Sequence, residues 1–207
     1  MPLPPRDSEL IQIMDASFAD AARRAGPWLA CKPGCTQCCH GAFAINALDA
    51  ARLRAGMEVL AASNPALDAE LRSRANSWIA TYAASFPGNP TTGTLGTTEA
   101  EQEAFEDFAN EAPCPALNPA TGLCDIYEFR PMTCRVFGPP VRVESEEANG
   151  ALACCELCFI GASSETIAAC EMQVPHELED EILAELHNST ETLVAFALLP
   201  PSANQTR

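Results

Sequence analysis

Histidine is scarce in this sequence, which holds three in 207 residues. A metal site built from several imidazoles would use most of them, so the sequence argues against such a site. Signatures of common enzymes are missing as well: the chain has no G-x-G-x-x-G, no P-loop and no Ser-His-Asp pattern. Any metal chemistry here must therefore depend on cysteine.

Basic residues are also few. Lysine and arginine together number 12 against 28 acidic residues, which gives a net charge of -16. An acidic surface gains nothing by approaching a phosphate backbone or an anionic bilayer. The charge therefore predicts that neither nucleic acid nor a membrane is a partner, and its simplest consequence is solubility.

Long apolar runs are absent. No stretch approaches the roughly 18 residues that would span a bilayer, and the residues from Met1 to Glu9 show no apolar region behind a basic start. We therefore expect a cytoplasmic protein whose thiols stay reduced. In that compartment, clustered cysteines more often bind metal or catalyse than form structural disulfides.

Cysteine is what the chain has in abundance, with eleven residues. Four lie within nine residues, in the run Cys31-Lys-Pro-Gly-Cys35-Thr-Gln-Cys38-Cys39, and further groups follow downstream. Eight thiolates would serve two tetrathiolate zinc sites or two cubane clusters. The adjacent side chains of Cys38 and Cys39 are expected to diverge, which favours their serving two different sites. Cys170, inside an apparent helix, is interpreted as a buried, inert thiol.

The fold prediction is mainly α: Ala-rich helices around an irregular cysteine-rich metal-binding subregion with at most short strands. We expect one domain over 1–199, with metal-binding motifs at 31–39 and 114–159, and a flexible tail at 200–207. Residues 86–98 lack periodicity and are interpreted as a disordered surface excursion, with a lid as the alternative. Helices are predicted at 7–24, 46–60, 65–85, 98–111, 164–172, 175–186 and 190–198, and short strands at 122–127 and 141–144.

The second cysteine group carries a family resemblance. Cys114-Pro-Ala-Leu precedes Gly122-Leu-Cys124-Asp-Ile-Tyr127-Glu-Phe-Arg130-Pro-Met-Thr-Cys134-Arg-Val-Phe137. Together with the upstream C-x3-C-x2-C-C run, this resembles the YkgJ-type, or CxxCxxCC, zinc- or iron-chelating cysteine-cluster family. The first gap here is three residues where the family pattern has two.

The resemblance implies metal-ligand roles for Cys31, Cys35, Cys38, Cys39, Cys114, Cys124 and Cys134. An eighth ligand is implied by Cys155-Glu-Leu, which is similar to the family's later C-E-L-N-F segment. Two departures keep that assignment open, since Cys158 stands where the segment usually has Asn and Cys154 adds a thiol beside Cys155. Any of the three could be the last ligand.

Two arginines are candidates for holding a cofactor. Arg130 and Arg135 could donate to cluster sulfurs or offset the charge of a tetrathiolate centre. Each could equally form an ion pair with Glu128 or another acidic residue. His40 is an alternative ligand to its neighbour Cys39, although a capping or surface role is favoured.

The function predicted is metal binding, with an iron–sulfur cluster in a redox or accessory enzymatic role. The alternative is a zinc-binding structural or protein-interaction module, which the spacings Cys35-x-x-Cys38 and Cys155-x-x-Cys158 support. Direct metal catalysis and thiol redox chemistry are further possibilities, and whether the chain is an enzyme stays open. A redox or protein partner is possible, but the sequence does not identify one.

Overall fold

The computed structural model describes residues 3–143 and 150–201. Its contacts divide the chain into two compact units. Unit 1 comprises Met1–Leu3, Gly34–Pro131 and Leu186–Arg207, and unit 2 comprises Pro4–Pro33 and Met132–Glu185. That residues 1–199 form one domain stays a prediction, and most of the predicted tail lies outside the described residues.

The protein is mainly α, as predicted. The helices are α1 Asp7–Ala25, α2 Ala47–Ser63, α3 Pro65–Tyr82, α4 Glu99–Glu106, α5 Met132–Val136, α6 Ser164–Ala169, α7 His176–Leu186 and α8 Val194–Ala197. The strands are β1 Gly88–Asn89, β2 Thr94–Leu95, β3 Val141–Arg142 and β4 Leu152–Ala153, paired as antiparallel β1-β2 and β3-β4. Across the ranges given above, no helix is both long and apolar enough to cross a bilayer.

Unit 1 is built on the packing of α2, α3 and α8. Leu53, Met57 and Leu71 are buried between these helices and form the centre of an apolar cluster. Cys114 and Cys124 pack against the edge of the same cluster. The core therefore supports the cysteines directly, and burial of this many apolar side chains supplies most of the free energy of folding.

Local signals explain where these helices begin. The Asn46 side chain accepts a hydrogen bond from the backbone N–H of Asp49 (2.9 Å), and Pro65 occupies the first turn of α3. A capping box opens α4, with Thr98 and Glu101 capping each other's backbone. This helix ends at Glu106, earlier than predicted, and the left-handed φ of 53° at Ala109 excludes its continuation through residue 111.

The expectation that residues 86–98 form an unstructured excursion is wrong. The segment is a β1-β2 hairpin whose Phe86 and Leu95 side chains are buried against Phe108 and Leu193. The hydroxyl of Thr192 donates to the carbonyl of Gly93 (2.7 Å). Apolar anchors at both ends of the hairpin hold it in place although its sequence is rich in Gly, Pro and Thr.

Unit 2 is organised around α1, which packs on α5. Leu10, Met14 and Ala21 lie on the buried face of α1. A second apolar cluster joins Ala25 to three cysteines and an aromatic ring, namely Cys155, Cys158, Phe159 and Cys170. Cys170 is 3 % exposed, in agreement with its predicted burial.

The predicted short strands are only partly correct. Residues 122–127 contain a single bridge from Cys124 to Leu117 and then a 3₁₀ turn at Tyr127–Phe129. The pairing is limited to that one bridge, so the segment is not a strand. The strand predicted at 141–144 is present at Val141–Arg142, and Glu144 lies outside the described residues.

Candidate metal centre

From Gly34 onward, the upstream cysteine run folds into a tight loop of unit 1. Gly34 adopts a left-handed φ of 87°, and the backbone N–H of Cys39 donates to the carbonyl of Thr36 (2.8 Å). Residues Gln37–Cys39 form a 3₁₀ turn. The predicted ligands on this loop, Cys35, Cys38 and Cys39, are all half-buried.

Backbone hydrogen bonds place this loop beside Cys114. The N–H of Cys114 donates to the carbonyl of Cys39 (2.7 Å), and the N–H of Gly41 donates to the carbonyl of Ala112 (2.9 Å). Between these bonds, His40 and Pro113 pair as an antiparallel bridge. Two cysteines far apart in sequence are therefore held side by side by the main chain. The His40 side chain is exposed.

A second loop brings Cys124 to the same place. Leu117 and Cys124 form an antiparallel bridge, and the N–H of Asp125 donates to the carbonyl of Ala116 (2.9 Å). Arg74 on α3 fastens this loop from outside. Its Nε donates to the carbonyl of Pro115 (2.8 Å) and its Nη2 to Oδ2 of Asp125 (2.5 Å). Helix α3 thus sets the position of the loop that carries Cys114 and Cys124.

The side chains of Cys38 and Cys39 interact, and each shifts the pKa of the other. The Cys39 thiol donates to the Cys38 sulfur, and this bond lowers the pKa of Cys38 to about 6 and raises that of Cys39. This interaction requires the two sulfurs to lie near each other, while the expectation that Cys38 and Cys39 serve two different metal sites stays a prediction.

The two downstream thiols are enclosed by protein. Burial raises the pKa of Cys114 to about 12, while the backbone N–H groups of Ala116 and Leu117 donate to its sulfur and partly oppose that rise. Burial likewise raises the pKa of Cys124, against a donor from the N–H of Ile126. Backbone donors of this kind stabilise a thiolate once its proton has left.

We call Cys38, Cys39, Cys114 and Cys124 the unit 1 thiol group. Every pair among the four lies close enough to interact electrostatically. Its donors are all soft sulfurs, the set that suits zinc or iron–sulfur clusters.

Arg130 lies beside this group. Its guanidinium sits 3.9 Å from the centroid of the Tyr127 ring and donates to the Tyr127 carbonyl (3.0 Å). Its charge also lowers the pKa of Cys38, as a smaller influence than the hydrogen bond from Cys39. A positive charge here would offset part of the negative charge of a thiolate centre.

Arg135 has a different environment in unit 2. It is 2 % exposed, and its Nη1 donates to Oδ1 of Asp15 on α1 (2.7 Å). This ion pair is the alternative that the sequence left open for Arg135. A cofactor-binding role for either arginine stays a prediction.

The remaining predicted ligands lie in unit 2. Cys31 is exposed, Cys134 is half-buried on α5, and Cys155 is buried. The eight predicted ligands are therefore divided between the units, since Cys35 and the unit 1 thiol group belong to unit 1. Within 3–143 and 150–201, no three His, Cys, Asp or Glu side chains already stand in ligating geometry. The ligand assignments thus stay predictions, and binding a cation requires the thiols to close in on it.

Comparison with known families is consistent with a thiol site of this kind. The family described as "CxxCxxCC: Putative zinc- or iron-chelating domain" matches residues 30–158, more than half of the chain. The chain belongs to this family. The CxxCxxCC match confirms the resemblance seen in the two cysteine motifs and assigns the chain to a metal-chelating class. No curated protein and no solved structure matches the chain.

Sequence reasoning missed one residue that positions this CxxCxxCC site. Arg74 lies in α3, outside both cysteine motifs, and nothing in its helical surroundings sets it apart from Arg72. Its role depends on contacts with Pro115 and Asp125, which only the folded chain reveals.

Proposed function

We propose that the chain binds an iron–sulfur cluster through Cys38, Cys39, Cys114 and Cys124. The observation that carries this proposal is the convergence of two distant motifs: a backbone hydrogen bond holds Cys114 beside Cys39, and the Leu117–Cys124 bridge folds Cys124 back toward the same segment. The one imidazole adjacent in sequence, that of His40, is exposed. Four thiolates without a nitrogen ligand are the usual set for clusters with two or four irons.

The core of unit 1 favours a cluster over a structural zinc. Structural zinc commonly replaces a core that a small module lacks, so such modules unfold without metal. Unit 1 instead buries Leu53, Met57, Leu71 and their neighbours from α2, α3 and α8. A metal is not needed to hold these helices together, which leaves it available for chemistry.

The residues around the four thiols would stabilise such a site by hydrogen bonding and by charge. The N–H groups of Ala116 and Leu117 would stabilise the Cys114 thiolate, and the N–H of Ile126 the Cys124 thiolate. Arg130 would offset part of the negative charge of the thiolates. When bound, a cluster of this class supplies one-electron transfer, and its potential depends on these donors and on solvent access. We therefore assign the chain a redox or accessory enzymatic role.

A zinc-binding structural or interaction module is the second candidate. It is favoured by the spacing Cys35-x-x-Cys38, which is that of a zinc knuckle. Cys35 lies on the same loop as Cys38 and is half-buried, so it could replace Cys39 as a ligand.

We further propose a cytoplasmic location, because clustered thiols of this kind need reducing surroundings. The net charge of -16 supports the absence of nucleic-acid and membrane partners. A redox role requires an electron donor or acceptor, and a protein partner would meet an acidic surface.

The test is an anaerobic redox titration followed by visible absorption. We expect coloured protein that bleaches on addition of dithionite and recovers on reoxidation. Cys124→Ser should lose the colour, whereas Cys170→Ser, at the end of α6, should keep it. Colourless protein holding tightly bound zinc would refute the proposal and support the second candidate.

A further inference from the structure

A small cavity lies in unit 1 beside Cys114. Its walls come from residues 41–43, residues 114–115, residues 193–195 at the start of α8, and Trp78 of α3. The space inside is about 20 Å³ and is partly open to solvent. Since roughly 10–15 Å³ is enough for one water molecule, the cavity accommodates a single molecule of about that size, including a diatomic gas.

Backbone hydrogen bonds at both ends hold residues 41–43 in place. The N–H of Gly41 donates to the carbonyl of Ala112 (2.9 Å). Further along, Ile45 and Thr192 donate to each other's carbonyls (2.9 and 3.0 Å). The segment is therefore fixed on both sides of the cavity, and it cannot close the space by shifting one end.

Small residues leave this space unfilled. Gly41, Ala42 and Ala195 line the cavity and contribute little side-chain volume. Gly41 has a φ of +89°, and a Cβ built on it would lie 3.1 Å from the carbonyl oxygen of Asn110. The backbone conformation and this contact both disfavour a larger residue at the position.

An aromatic ring forms another wall. The Trp78 indole packs against the Tyr82 ring (4.7 Å between centroids) and against the Phe108 ring (6.0 Å). Contacts between aromatic rings at these distances are favourable, so they hold the indole where it is. The cavity therefore persists because its walls are fixed.

The lining favours an apolar occupant. The described residues around the cavity carry no charge, and their polar side-chain groups are the Cys114 thiol and the indole N–H of Trp78. A water molecule held inside a protein usually makes roughly two to four hydrogen bonds, whereas apolar cavities stay dry and take up apolar guests such as xenon. Size and lining together point to a small apolar molecule.

We propose that this cavity binds one molecule of a small apolar gas of the dioxygen class and holds it beside Cys114. The gas site depends on the apolar lining and needs no metal. Its consequence for redox chemistry, that dioxygen can approach a cluster ligand from within unit 1, rests on the function proposed above.

The test is methyl NMR of the metal-free, full-length protein under increasing xenon pressure, with xenon as the probe for the gas. We expect the methyl signals of Leu193, Val194 and Ala195 to shift until the site is saturated. The signals of Leu10 and Ile182, which are buried in unit 2, should not shift. Because no metal is present, the result does not depend on whether the protein binds a cluster.

Two alanines of α8 form a matched pair. Both are buried, but Ala195 lines the cavity and Ala197 packs in the apolar cluster of α2, α3 and α8. Ala195→Val should fill the cavity, abolish the xenon shifts of Leu193 and Val194, and keep the wild-type melting temperature. Ala197→Val should keep the shifts and lower the melting temperature, because it overpacks the core. The proposal is overturned if the wild-type signals show no saturable shift, or if Ala195→Val responds to xenon as the wild type does.

Discussion

The loop that carries Cys114 and Cys124 should depend on one acidic side chain. Asp125 is 11 % exposed and pairs with Arg74, which is 24 % exposed, at 2.5 Å. Asn118 also donates to Asp125 (3.1 Å). We predict that Asp125→Ala releases the loop from α3 and lowers both the stability of the protein and its affinity for metal.

The size of the effect follows from these contacts. Hydrogen bonds to charged groups contribute about 1.5–3 kcal/mol each, whereas exposed ion pairs contribute about 1 kcal/mol or less. For a partly exposed pair we expect a loss of about 2 kcal/mol in the free energy of unfolding of the metal-free protein. If metal binding must then order the loop, this loss lowers affinity by at most about 30-fold.

A matched control lies on the same helix. Asp68 pairs with Arg72 one turn apart in α3 and does not reach the cysteine loop. Asp68→Ala should cost less, at most about 1 kcal/mol, because such pairs within a helix are weak. Urea unfolding of metal-free protein gives the stability, and competition with a chelator gives the affinity. Equal affinities for Asp125→Ala and Asp68→Ala would refute the reasoning.

Two further predictions concern unit 1. In metal-free protein, alkylation of Cys38 should rise with pH around a midpoint near 6, because the hydrogen bond from Cys39 lowers the pKa of Cys38 to about 6 and the thiolate is present above that pH. Cys39→Ala should move this midpoint toward ~8.5, the ordinary value for a thiol, and an unchanged midpoint would contradict the assignment of the bond. Gly93→Ala should reduce the free energy of unfolding by about 1–3 kcal/mol, because the new methyl group would overlap the Phe196 ring and the backbone there is left-handed. Thermal unfolding measures this loss. If Gly93→Ala is as stable as the wild-type protein, the prediction is wrong.

The helices were predictable because their signals are local. Asn46, Pro65 and the Thr98 capping box act within one turn of their own position, so the sequence alone predicts where α2, α3 and α4 begin. The hairpin at 88–95 was not predictable in this way. The hairpin is held in place by the packing of Phe86 and Leu95 against Phe108 and Leu193. These two residues are distant in sequence, so the local pattern does not indicate the contact.

At the candidate site, too, some features follow from the local sequence and others depend on contacts between distant residues. Residue type and spacing predict which cysteines are candidate ligands, and those assignments stay predictions. Type and spacing could not predict how the thiols divide between two units, because that depends on tertiary contacts such as the hydrogen bond from Cys114 to Cys39. The environment of Arg135 was undecided for the same reason, since its partner Asp15 comes from the packing of α1 against α5.

The most direct test of the central claim is an anaerobic native mass spectrum of freshly purified protein. The proposed cluster adds both iron and inorganic sulfide to the mass of the chain, and Cys114→Ser should lose that increment. Zinc alone, with no sulfide in the spectrum of the wild-type protein, would contradict the account.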